Sequence, residues 1–228
     1  MIVPVVLRRR AWGVLSAAAV VASLAILPAG AHAAGSLHVT FDPAGNGQLV
    51  IRADYSDYVN KLALVTENPG GGSPDLVIGD VSAGITDPIP PICFRIDTTI
   101  IRCPQSMIHR LNINLGPGND TLAARFDQIA GLTIGQQASF FAQLGPGRDV
   151  AQGGPIPNTI YGGPGRDMIV GGPFADKLFG GGQNDFLVGL GGNDLFQCGQ
   201  GNHDLFNDGP GKDLVNVGTC EIRTRTKF

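Results

Sequence analysis

The chain has 228 residues, enough for one or two domains, with 34 glycines, only 15% charged residues and a formal net charge of −3. Without Arg8, Arg9 and Arg10 the sixteen basic residues become thirteen against nineteen acidic, a net of −6. That balance disfavours a nucleic-acid or anionic-membrane partner and suits a cation binder.

Three arginines precede an apolar run from Gly13 to Leu27, and Ala31-His32-Ala33 offers a small-x-small cleavage site. Residues 1–33 therefore read as a secretory signal cut before Ala34. The apolar run is short for a bilayer span, and no comparable run follows. The expected product is secreted, extracellular or at the cell surface, with no membrane contact after cleavage.

Residues 37–41 alternate apolar and polar, 42–47 form a turn, and 48–53 resume a strand. Further strands are expected at 60–66 and 75–80, separated by a glycine-rich loop at 69–74. No long helical period occurs; 126–130 suits at most a short turn. Cys93 and Cys103 flank 94–102, which reads as two short strands around a turn. Export favours disulfides, and four cysteines allow three pairings. Local pairs, Cys93 with Cys103 and Cys198 with Cys220, fit best, because a hairpin and a terminal rung bring them together.

Residues 115–122 hold an isolated unit, Leu-Gly-Pro-Gly-Asn-Asp-Thr-Leu. Its Asp120 lies 29 residues before Asp149, not a multiple of nine. The repeat is either interrupted there or has longer rungs. Lacking a stacked partner at the right spacing, Asp120 is expected to matter less than Asp167. Residues 132–134 and 139–142 are candidate strands.

From 144 to 216 a nine-residue unit dominates, starting at Leu144, Gly153, Gly162, Gly171, Gly180 and Gly189. The clearest is Gly162-Gly163-Pro164-Gly165-Arg166-Asp167-Met168-Ile169-Val170. Six residues make a turn and three a short strand. Glycine tolerates backbone angles that a Cβ forbids and lets carbonyls crowd a cation. Aspartate supplies the hard anionic oxygen that Ca²⁺ prefers. The eighth position, apolar, points inward: Ala151, Ile160, Ile169, Leu178, Leu187 and Phe196.

This pattern resembles the RTX (hemolysin-type) calcium-binding repeat. The resemblance implies an all-β fold, a right-handed parallel β-roll or β-helix solenoid, preceded by β-rich N-terminal rungs or a small β domain. It also implies Ca²⁺ as cofactor and partner, and two units per turn. Residues 18 apart then stack: Asp149, Asp167 and Asp185 on one side, Asn158, Asp176 and Asp194 on the other. After Gly201 one extra residue, within Asn202-His203, moves Asp204 and Asp213 to 19 residues after Asp185 and Asp194, so a local bulge continues both stacks. The expected calcium ligands are these seven aspartates with the backbone around Gly145, Gly147, Gly163, Gly165 and Gly192. Ile156, Phe174 and Gln183 stand where the pattern has its fourth-position glycine, and Asn158 replaces an aspartate.

With its export signal, its Cys93…Cys103 hairpin and its Cys198-Gly-Gln-Gly…Cys220-Glu end, the chain resembles small secreted calcium-binding proteins of actinobacteria. The implied organisation is a signal at 1–33, a β-rich region at 34–111, and a calcium-binding roll with a C-terminal cap at 112–228. In that cap Val215, Val217 and Ile222 cover the last rung, and Arg223, Arg225 and Lys227 discourage further strand pairing. No His-Glu-x-x-His or Gly-x-Ser-x-Gly motif accompanies His38, His109 or His203, so no enzyme is expected. The alternatives are a structural or adhesive surface module using Ca²⁺ only for stability and, further off, a hydrolase accessory domain. The sequence names no protein or surface-glycan partner.

Overall fold

A computed structural model describes residues 37–42, 47–53, 59–67, 75–80, 82, 84–86, 88–125, 139–216, 220 and the backbone of 222–223. The expected signal at 1–33 lies outside the described residues, as do the loop at 69–74, the segment 126–134 and most of the expected C-terminal cap.

Apart from one 3₁₀ turn, Gln105–Met107, the described elements are strands. First come β1 (Leu37–Asp42), β2 (Gln48–Ala53), β3 (Lys61–Glu67), β4 (Asp75–Asp80), β5 (Phe94–Arg95) and β6 (Ile100–Pro104). β7 (Arg110–Asn114), β8 (Thr121–Arg125), β9 (Ser139–Gln143) and β10 (Val150–Gln152) lead into the repeat. The repeat carries β11 (Asn158–Pro164), β12 (Met168–Gly172), β13 (Lys177–Gly182), β14 (Phe186–Leu190), β15 (Leu195–Gln200) and β16 (Leu205–Asn207). β17 (Leu214–Val215) and β18 (Ile222–Arg223) follow.

The strands form two mixed sheets. One runs β1-β2-β7-β9-β11-β13-β15-β17, the other β18-β16-β14-β12-β10-β8-β3-β4-β6-β5. From β7 onward the chain alternates between them, and each strand pairs in parallel with the next on its own sheet. Within the nonapeptide units partners lie 18 residues apart, as in Thr159↔Lys177 and Val150↔Met168. Past the Asn202-His203 bulge the separation becomes 19, as in Phe186↔Leu205 and Leu195↔Leu214. The early strands depart from a simple parallel stack: β1–β2, β3–β4, β4–β6 and β5–β6 are antiparallel. Between β1 and β2, β3 and β4, and β5 and β6 the connections are too short for the crossover that a parallel pair requires. β2 and β3 nonetheless join β7 and β8 in parallel, so both sheets run on from the hairpins into the repeat.

The inward side chains form one apolar cluster shared by both sheets. On the first sheet Ile51, Ile113, Ala142, Ile160, Leu178 and Phe196 occupy successive rungs at one register. On the second Leu62, Leu122, Ala151, Ile169, Leu187 and Phe206 do the same. All are buried; each large one contributes about 1.5–3 kcal/mol by leaving water. Cys93 is bonded to Cys103 and Cys198 to Cys220, the two local pairs.

Candidate metal centre

The turns between the sheets carry the polar groups. At the end of each nonapeptide turn the aspartate is buried: Asp149, Asp167, Asp176, Asp185, Asp194 and Asp204 are each at most 2% exposed. Asp213, near the end of the array, is half-buried. The carboxylates line up in two columns, one beside each sheet, and a single hydrogen bond sets their order. The backbone N–H of each residue donates to Oδ1 of the carboxylate one rung further on. In the first column Asp120 donates to Asp149 at 2.6 Å, Asp149 to Asp167 at 2.8 Å, Asp167 to Asp185 at 2.9 Å and Asp185 to Asp204 at 2.7 Å. In the second, Asn158 donates to Asp176 at 2.8 Å, Asp176 to Asp194 at 2.9 Å and Asp194 to Asp213 at 2.9 Å.

The structure thus brings together Asp149, Asp167, Asp185 and Asp204 on one side and Asp176, Asp194 and Asp213 on the other. It adds Asp120 to the first column, against the expectation that this residue stands alone. The 29-residue span to Asp149 closes one longer rung, with Thr121 still paired to Val150. Asn60 joins too, donating from its backbone to Asp120 Oδ1 at 2.6 Å. The signal for Asp120 was its Leu-Gly-x-Gly-x-Asp unit. Asn60 has no such signal, because only strand pairing between β3 and β8 places it there.

The glycines expected to help bind lie where successive turns press together. A Cβ on Gly163 would overlap the Gly145 carbonyl, one on Gly165 the Gly147 carbonyl, and one on Gly192 the Phe174 carbonyl. The same holds for Gly145 against Gly116 and Gly147 against Gly118. The expected ligand set left out the first glycine of each unit. A Cβ on Gly162 would run into Asp167 Oδ2 and the Gly180 carbonyl oxygen; one on Gly180 would run into Asp185 Oδ2 and the Cys198 carbonyl oxygen. Gly171 and Gly189 stand in the same relation to Asp176 and Asp194. The first glycine lets the carboxylate fold across its own turn and meet a carbonyl of the next. Its presence in each unit from Gly153 to Gly189 was the available sign.

Those carboxylates have one oxygen to spare. Oδ1 is engaged in the column, whereas Oδ2 of Asp120, Asp149, Asp167, Asp185 and Asp194 is buried and accepts no hydrogen bond. Asp176 differs, its Oδ2 accepting from the Gly172 N–H at 2.5 Å. A buried carboxylate oxygen with no partner is costly, and the group responds by holding a proton or gaining a cation. Burial pushes Asp120, Asp149, Asp185 and Asp194 up to about 7, and Asp167 and Asp176 up to about 6. Column neighbours add to the rise, as Asp167 and Asp120 do for Asp149, while the donated N–H opposes it.

A spare carboxylate oxygen and a carbonyl oxygen converging at the turns of Asp167, Asp185 and Asp194 fit a hard cation. Among the described residues, no three His, Cys, Asp or Glu side chains cluster tightly enough to hold an ion alone. Backbone carbonyls would therefore complete the six to eight oxygens that Ca²⁺ takes. The repeat's sequence matches a known family here. Four copies of the RTX calcium-binding nonapeptide repeat fall within residues 144–178 and 161–196. Residues 144–196 carry repeats of the RTX family. No curated protein and no solved structure matches the chain. The RTX match spans the turns that end at Asp149, Asn158, Asp167, Asp176, Asp185 and Asp194. The carboxylate columns extend beyond it at both ends, to Asp120 and to Asp213.

Proposed function

We propose that the protein is a secreted calcium binder whose two aspartate columns take up Ca²⁺ between successive turns and order a right-handed parallel β-roll. The observation that carries this is the row of buried Oδ2 atoms, of which those of Asp167, Asp185 and Asp194 each lie beside a backbone carbonyl at a glycine that admits nothing larger than hydrogen. Asp149, Asp167, Asp185 and Asp204 would hold ions on one side, and Asp176, Asp194 and Asp213 on the other, with turn carbonyls beside them. The ion supplies the positive charge that these carboxylates lack. Without it they repel along the column, and glycine-rich turns are costly to order.

Export through residues 1–33, a β-rich region at 34–111 and a roll with its cap at 112–228 belong to the same proposal. So does a binding role without catalysis. His38 lies on β1, His109 just before β7 and His203 in the bulge, all exposed and in different parts of the fold.

Circular dichroism of the chain from Ala34, titrated with Ca²⁺, tests the reading. The expected result is a gain of β signal and a higher melting temperature, with affinity of about 10⁻⁴ to 10⁻³ M, the range of extracellular modules. An identical spectrum and melting point in chelator and in millimolar Ca²⁺ overturns it.

A further inference from the structure

Both carboxylate columns begin at an asparagine, and each asparagine donates to the first carboxylate of its column from both its backbone N–H and its Nδ2. Asn158 opens the second column. Its Nδ2 donates to the Gly154 carbonyl at 3.0 Å, the Ile156 carbonyl at 2.7 Å and Asp176 Oδ1 at 2.8 Å. Its Oδ1 accepts from the Gly154 N–H at 3.1 Å. The surroundings fix the orientation of the amide, because Nδ2 faces only acceptors. Asn60 opens the first column, with Nδ2 donating to the Leu115 carbonyl at 3.0 Å and to Asp120 Oδ1 at 3.1 Å.

The rung before Asn158 explains why the column stops there. At the same register that sheet carries Phe140, then Leu111, then Leu49, all apolar. In the column every Oδ1 accepts the N–H of the preceding rung. The Phe140 N–H instead donates to the Pro157 carbonyl at 3.3 Å. Residue 158 therefore has no ladder donor to receive, and its side chain turns back into its own loop. There an N–H₂ group bridges two turn carbonyls and the next carboxylate, the same types of oxygen that surround Oδ2 in the later turns.

We infer that the Asn158 amide stands in for a cation: it closes the N-terminal end of the second column without an ion, and an aspartate at this position would convert the turn into a further calcium site. The inference rests on calcium binding by the columns. It adds that the array is polar, with ion-independent turns at the apolar end and calcium-dependent turns beyond. A neutral amide ends the row of negative charges where the core turns apolar. Asn60 likewise puts a neutral amide at the start of the first column, against Asp120 and the Leu115 carbonyl.

Calorimetric counting of bound Ca²⁺ per chain tests this on the chain from Ala34. Asn158→Asp should raise the count by one and lower the melting temperature in chelator, since a carboxylate cannot donate to the Gly154 and Ile156 carbonyls. Asn158→Ala should leave the wild-type count unchanged. An unchanged count in Asn158→Asp overturns the inference, and so does loss of one ion in Asn158→Ala, which would make the asparagine a ligand. In either case the wild type still binds calcium, and the parent reading survives. A wild type that binds none removes both.

Discussion

A methyl group placed at two glycines of one turn gives opposite outcomes if the carboxylate cradle is as described. Gly180 and Gly182 both end β13, and neither has the left-handed backbone that excludes alanine. A Cβ on Gly180 would overlap Asp185 Oδ2 and the Cys198 carbonyl, and would sit 3.0 Å from Asp185 Cβ. The carboxylate can swing aside, but the Cys198 carbonyl belongs to a paired strand and a disulfide-bonded residue. A Cβ on Gly182 would meet only Pro164 Cα, at 3.8 Å, an ordinary contact. Overpacking of the first kind costs about 1–3 kcal/mol, whereas alanine for glycine in an open strand position gains about 0.5–1 kcal/mol. The two variants should therefore differ by about 1.5–4 kcal/mol. At about 2–4 °C per kcal/mol for a chain of this size, that is roughly 3–16 °C in melting temperature. Gly180→Ala should also lose the ion held by Asp185, and Gly182→Ala should keep it. Thermal melts in saturating Ca²⁺, paired with calorimetric titration, read both effects. Melting temperatures within about one degree of each other would refute the cradle, because the variants share chemistry and location and differ only in what the methyl meets.

Four further outcomes follow from the same geometry. The calcium-free protein should melt at a lower temperature as pH rises from 5 to 8. Its aspartates hold protons up to about 6 or 7 when folded, against an ordinary 3.8, so their contribution is complete below that ordinary value and is lost as pH rises through the folded one. Calcium affinity should climb over the same window as protons leave, and a calcium-free melting temperature independent of pH contradicts the burial. Asp120→Ala should cost about 1–3 kcal/mol in saturating Ca²⁺ by removing the carboxylate that accepts from the buried Asn60 backbone N–H, and an unaltered melt would place the start of the column at Asp149. Gln183 adopts a left-handed φ of 73° where the repeat has glycine, so Gln183→Gly should stabilise by about 0.5–1 kcal/mol in denaturant unfolding, and a loss would show that its side chain holds the turn. Cys198→Ser should cost roughly 3 kcal/mol, the chain-entropy value for a loop with its ends 22 residues apart, and a melt equal to wild type would show that β17 and β18 hold the last rungs unaided.

The regular part of this protein was legible in its sequence because each turn has the same length. Nine residues per unit and two units per rung place Asp149, Asp167 and Asp185 in one column and Asp176 and Asp194 in another. The one-residue slip at Asn202-His203 could be followed by arithmetic to Asp204 and Asp213. The inward residues followed from the same period, and the disulfides from local spacing. What only the tertiary structure decided lies where the length of a turn changes. Pairing requires that strands meet, not that equal numbers of residues separate them. Asp120 therefore enters the column across 29 residues and Asn60 across a further 60, and no period reveals either. The hairpin between Cys93 and Cys103 was legible, but the antiparallel pairings of β1 with β2, β3 with β4 and β4 with β6 were hidden, since alternation marks a strand but not its direction. The uneven use of the two carboxylate oxygens was also beyond the sequence. Oδ1 is taken by the N–H of the preceding rung and Oδ2 is left facing a carbonyl, a division that exists only once neighbouring turns are stacked at strand spacing, about 4.8 Å apart.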